Sequence, residues 1–138
     1  MLTRFPGCKI SECDLKDFDA LDLHIGKVKD GQPQRNALEG KRETLTYICP
    51  AKHSAIELSR NAENAMKKVG YKIIFSGKEE NDFPIVTGQK GGQWLQVRGR
   101  PHDADSAYDV SALLVKEMTQ QLEATADAWA AGLASGAR

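Results

Sequence analysis

The 138 residues suffice for a single domain with a core of its own, burying roughly two thirds of the surface that the unfolded chain exposes. Nineteen basic side chains balance nineteen acidic ones, which argues against a nucleic-acid binder with a basic face and removes polybasic attraction to anionic lipid. No apolar run approaches the roughly 18 residues of a membrane-spanning helix or resembles a signal-peptide core, and Met1 followed directly by "LTRFPG" also suits a chain whose leader has been removed, so the compartment stays open at this point.

In chain order, Leu21, Leu23 and Ile25 alternate with Asp22 and His24, the period of a half-buried strand, and Val28 falls on the opposite parity. A bulge at Gly26 reconciles the two registers. "KDGQPQRNALEG" collects Gly, Pro, Asn and charge and reads as an exposed hairpin loop. A second strand is expected from about Lys41 to Cys49, ended by Pro50. Ser54 can then cap a helix with Glu57 at its third position, a capping box, and Ile56, Leu58, Ala62, Ala65, Met66 and Val69 form the apolar side. Gly70 after Lys67 and Lys68 suits a C-terminal cap, and "YKIIF" turns at once into a strand.

"SGKEENDFP" is turn-rich, "FPIV" could be a short strand, and the glycines of "TGQKGGQ" suit a hairpin turn better than a phosphate loop, since no Lys-Ser or Lys-Thr follows. "QWLQVRGR" alternates as a strand, "RPHDADSA" reads as a loop, and a last strand runs from about Tyr108 to Lys116 before a helix from about Thr119 to Leu133. The expected fold is therefore α+β: a mostly antiparallel sheet of about five strands with one central helix packed on it and a C-terminal helix, in the order β-β-α-β-β-β-α. Residues 1–118 form the domain and residues 119–138 the terminal helix.

Few residues propose chemistry. Cys8, Cys13 and Cys49 allow one disulfide in three pairings, with Cys8 and Cys13 too far apart for a bridge if the chain between them is extended. Cys49 with His53 suggests a thiolate nucleophile, set against Cys49 as a small core residue at a strand end. "HDAD", His102 to Asp105, offers metal-ligand types without a finger-like partner pair, so no metal or cofactor is expected. Trp94, Gln96, Arg98 and Arg100 make the best candidate binding surface, an aromatic beside arginines on one strand face. The plainer alternative packs Trp94 under the terminal helix and leaves the arginines solvated. Leu122, Trp129 and Leu133 form a stripe on that helix that wants a partner, in this domain's sheet or beyond the chain, in a further domain or a second copy.

"SAIELSRNAENAMKKVGYKIIF", with Ile56 and Leu58, Arg60 and Asn61, and Lys67 through Gly70, resembles the domain that precedes the peptidoglycan-binding domain in bacterial OmpA-family envelope proteins. "RFPGCKISECDLKDFDALDL", "LEGKRETLTYICP" and "KEMTQQLEATADAWAAGL" resemble the family's opening, second strand and closing passage in the same order. Ala62 stands where many relatives have an aromatic, and the cysteines are not a family feature. The resemblance implies a non-enzymatic periplasmic interaction or spacer domain of an outer-membrane-associated protein, with residues 119–138 leading toward an OmpA-like domain and an envelope protein or that domain as partner. A ligand- or protein-binding module using the Trp94, Arg98 and Arg100 surface is the second reading, and a cysteine-dependent hydrolase the third.

Overall fold

A computed structural model describes residues 5–30 and 32–116. They form an α+β fold with β1 (Lys9–Lys29), β2 (Gln32–Cys49), α1 (Ala55–Lys68), β3 (Lys72–Lys78), β4 (Pro84–Lys90), β5 (Gln93–His102) and β6 (Asp105–Val115). The six strands make one antiparallel sheet in the order β1-β2-β6-β5-β4-β3, with α1 packed on it. The expected five strands become six because "FPIV" opens a full strand, β4, paired on both sides. The expected helix from Thr119 to Leu133, the domain boundary at 118 and the Trp129 stripe lie outside the described residues.

The unit around α1 follows its sequence closely. The Ser54 hydroxyl accepts from the Glu57 N–H at 3.2 Å, capping the helix start. The Glu57 carboxylate, expected to reach back toward Ser54, meets His53 Nδ1 instead, at 3.0 Å. At the far end Gly70 adopts φ +94, and Gly70 and Tyr71 donate to the carbonyls of Lys67 and Met66. That pair of bonds is a Schellman motif, which needs a residue free to enter the left-handed region. Lys90 Nζ adds a bond to the Val69 carbonyl at 2.7 Å, a cation at the negative end of the helix dipole. Leu58, Ala62 and Met66 are buried against Val86, Leu95, Val97, Tyr108 and Val110, one core between helix and sheet.

The first hairpin departs most from expectation. β1 begins at Lys9 rather than near Leu21, and most of "KDGQPQRNALEG" is strand rather than loop. From Gly40 onward β2 pairs with β6, the Glu39 carbonyl accepts a last bond from the Lys116 N–H at 3.2 Å, and Gln32 to Leu38 pair with β1 alone, so the hairpin tip is a two-stranded ribbon. Gly40 stands where ribbon and sheet part: a Cβ there would lie 2.0 Å from the Leu114 carbonyl oxygen. Register shifts between Lys16 and Asp19 and on both sides of Gly26 bend the ribbon, since an extra residue on one strand increases local twist and curvature. The bulge expected at Gly26 is thus present. The bend carries β1 across to touch β3 and β4, at the opposite edge of the sheet. Leu23 is fully buried there, as are Ile85, Thr87 and Leu113 on the sheet face that points away from α1.

The N-terminal residues are tied down twice. Cys8 bridges to Cys49 across a sequence separation of 41, and both are buried in the core beneath α1. The Phe5 N–H donates to the Tyr108 hydroxyl at 3.0 Å, and the Phe5 ring meets His53 edge-on. Cys13 is exposed with a free thiol.

Candidate functional site

The bent ribbon and the sheet face opposite α1 enclose a polar cavity of about 250 Å³. Alternation along β1 and β2 sends Asp22, His24 and Arg35 to the same side of the ribbon, toward this space, with His24 directly opposite Arg35. The same period on β5 and β6 sends Gln96, Arg98, Asp109 and Ser111 into it from the sheet. Glu79 and Glu80 enter from the β3–β4 connection, a three-residue turn closed by Glu79 and Phe83 with Asp82 at φ 64.

Asp109, Arg98, Glu79, Arg35 and Glu80 are held by one another in pairs and chains. Asp109 is the hub of the sheet side: its carboxylate accepts from Thr46 Oγ1 at 2.8 Å, from Arg98 Nη2 at 3.0 Å and from Arg100 Nε at 2.9 Å. Burial pushes the Asp109 carboxyl up, but hydrogen bonds from Arg100, Thr46 and Arg98 and the charge of Arg100 outweigh it, so it lies below the ordinary aspartate value. Arg98 also donates through Nη1 to Glu79 Oε1 at 3.4 Å, linking Asp109 to the buried Glu79. On the ribbon side Arg35 donates to Glu80 Oε1. The Glu80 carboxyl is lowered, chiefly by its own backbone N–H, against some desolvation and with help from His24 and Arg35.

His24 sits between these halves and is 6% exposed. Gln96 Oε1 accepts the His24 backbone N–H at 2.8 Å and the Thr87 hydroxyl at 3.2 Å, and lies 3.4 Å from His24 Nδ1. The opposite ring nitrogen, Nε2, lies 3.8 Å from Glu79 Oε2 and 3.5 Å from Glu80 Oε2. Among the described residues this is the group of histidine and carboxylate side chains close enough together to hold a metal ion.

The row expected at Trp94, Gln96, Arg98 and Arg100 does share one face of β5, but it does not form one surface. Gln96 and Arg98 line the cavity, while Arg100 is engaged with Asp109. Half-buried Trp94 lines a separate depression near the end of β6, beside Lys41, Leu113 and Leu114. The arginines are ion-paired rather than simply solvated. The Cys49–His53 pairing is overturned, because Cys49 is bonded to Cys8 and offers no thiolate. In "HDAD", His102 and Asp103 are 3.8 Å apart on a tight turn, with the Asp103 side chain 92% exposed.

Nothing in the sequence singles out His24, Glu79 and Glu80 together. In "ALDLHIGK" the histidine occupies an ordinary polar strand position, and the glutamates sit in a turn 55 residues later, with nothing local to join them. The bulge at Gly26 was the one available signal, since it marks where the ribbon bends. No helix among the described residues is long and apolar enough to cross a membrane. No family model matches the chain, and no curated protein matches it.

Proposed function

We propose that this chain is a non-enzymatic interaction or spacer domain of the bacterial periplasm, belonging to an outer-membrane-associated protein of the OmpA family. Its expected neighbours are a peptidoglycan-binding OmpA-like domain or another envelope protein. The supporting observation is the buried Cys8–Cys49 bridge, because structural disulfides persist in oxidising compartments and are rare in reducing ones. Fractionation of cells making the full protein tests this reading. The bridge is expected oxidised and the protein released with the periplasmic contents or retained with the outer membrane; a cytoplasmic protein with reduced Cys8 and Cys49 refutes it.

A second reading, a binding module, is favoured by the cavity into which Gln96 and Arg98 point. Arg98 belongs to both the candidate surface and the cavity wall, whereas Trp94 does not. On this reading a bound small molecule raises Tm for the wild-type chain and not for Gln96→Ala. Equal shifts in both proteins count against it.

A further inference from the structure

We propose that His24, Glu79 and Glu80 form a binding site for a divalent transition-metal ion of the zinc class, with an open coordination position facing the cavity. The site shares the cavity with the binding-module reading but requires nothing of the compartment.

The argument begins at Gln96. Its side-chain atom beside the His24 backbone N–H, 2.8 Å away, must be the carbonyl oxygen, since a backbone N–H can only donate. The same oxygen faces His24 Nδ1 at 3.4 Å, so the hydrogen bond between them requires the proton on Nδ1. In the neutral ring this leaves the lone pair on Nε2, directed at Glu79 Oε2 and Glu80 Oε2, which are acceptors as well. Three acceptors converge, and their repulsion is relieved either by a metal cation among them or by a proton on Nε2 donated to Glu80 Oε2 at 3.5 Å.

The spacing suits a metal. Ligands about 2.0–2.1 Å from a tetrahedral zinc ion stand about 3.4 Å from one another. His24 Nε2 lies 3.5 Å and 3.8 Å from the two carboxylate oxygens, and all three atoms fall within 4.8 Å of each other. Each ligand is also oriented from behind: Gln96 receives the other ring nitrogen of His24, Arg98 holds Glu79 through Oε1, and Arg35 holds Glu80 through Oε1. Such outer partners fix ring and carboxylate orientation at metal sites. The competing arrangement keeps the proton on Nδ1 and adds one on Nε2, so that an imidazolium donates to Gln96 Oε1 and to Glu80 Oε2 between two arginine-paired glutamates.

The test uses the full chain stripped with chelator, with Cys13→Ser as background so that the exposed thiol contributes nothing. Titration with ZnCl2 in a calorimeter is expected to saturate at one ion per chain, and CoCl2 to give the intense visible bands of a tetrahedral N/O site. His24→Gln should abolish both signals. Glu80→Gln, on the exposed turn, should weaken binding at least about tenfold, and Gln96→Ala, which touches no metal, about tenfold to a hundredfold. His53→Ala and His102→Ala should bind as the parent does. Absence of saturable binding up to about 1 mM ZnCl2, where affinity would be no better than about 4 kcal/mol, overturns the site in favour of the protonated arrangement. So does unchanged binding by either His24→Gln or Glu80→Gln. Gln96→Ala separates the site from the wider cavity reading: loss of metal with retained small-molecule response refutes only the latter.

Discussion

Replacing Asp109 with asparagine isolates the charge at the hub of the sheet side, because the two side chains have nearly the same shape. The change puts an NH2 group where one acceptor oxygen faced arginine donors, and it leaves the Arg98 and Arg100 guanidinium groups, 37% and 26% exposed, without their shared counter-charge. Removing one member of a fully buried ion pair costs roughly 3–5 kcal/mol, whereas exposed pairs contribute at most about 1 kcal/mol. Asp109 is 14% exposed, and Arg98 retains the carboxylate of Glu79, so the cost should fall between these limits, at about 2–3 kcal/mol. Urea unfolding at pH 7 measures it directly. The pH dependence gives a second reading of the same charge. A carboxyl whose folded pKa lies below its unfolded one stabilises fully above the unfolded value, near 3.9, and loses that contribution as pH falls through the folded value. The gap between wild type and Asp109→Asn should therefore be constant from pH 7 to about pH 5 and close at lower pH. A loss below about 1 kcal/mol at pH 7, or a gap that widens on acidification, refutes the assignment of Asp109 as the ionised hub.

The Cys8–Cys49 bridge closes a loop defined by its separation of 41 residues, for which the chain-entropy relation gives about 4 kcal/mol. Cys8→Ala/Cys49→Ala should lose about that much in urea unfolding, and a loss under about 1 kcal/mol contradicts a structural role. Native protein should meanwhile take up one equivalent of iodoacetamide, at exposed Cys13, and three only after reduction and unfolding; rapid native labelling of Cys8 or Cys49 would contradict the bridge. A Cβ at Gly99 would lie 2.2 Å from the Ala55 carbonyl oxygen at the start of α1, so Gly99→Ala should force helix and sheet apart and cost about 1–3 kcal/mol by thermal or urea unfolding. A neutral effect would mean that α1 does not sit this close to β5.

Local signals were legible wherever one face of an element is buried and the other is not. Ser54, the apolar spacing of Leu58, Ala62 and Met66, and Gly70 specify α1 and its exit, and β5 alternates because Leu95 and Val97 lie beneath the helix. The beginning of β1 carries no such signal. Lys9 to Asp17 are exposed on both faces of an edge strand, held by pairing with β2 alone, and backbone pairing leaves no hydrophobic period. Gln34 to Ala37 in the ribbon are likewise exposed, so their turn-forming composition carries the pattern of a loop although they pair as strand. The bridge was open for a different reason: three pairings are equal in sequence, and only the packing of the Phe5–Cys8 turn against the end of β2 selects Cys49.

The cavity shows why its residues were the least legible. His24 reaches Glu79 and Glu80 only because the ribbon crosses the sheet, and that crossing depends on irregularities: the register shifts around Lys16 and Gly26, and the close approach at Gly40. A regular hairpin would continue along the edge of the sheet, away from the turn that carries the glutamates. Since a one-residue change of register exchanges the two faces of a strand, the bulge decides which side chains the ribbon turns inward as well as where it goes. Asp22, His24 and Arg35 face the cavity, and Leu23, between the first two, is fully buried. Leu23 therefore pins the register that presents His24. The apolar alternation visible in the sequence positions the polar site indirectly, by fixing the strand on which an otherwise ordinary histidine rides.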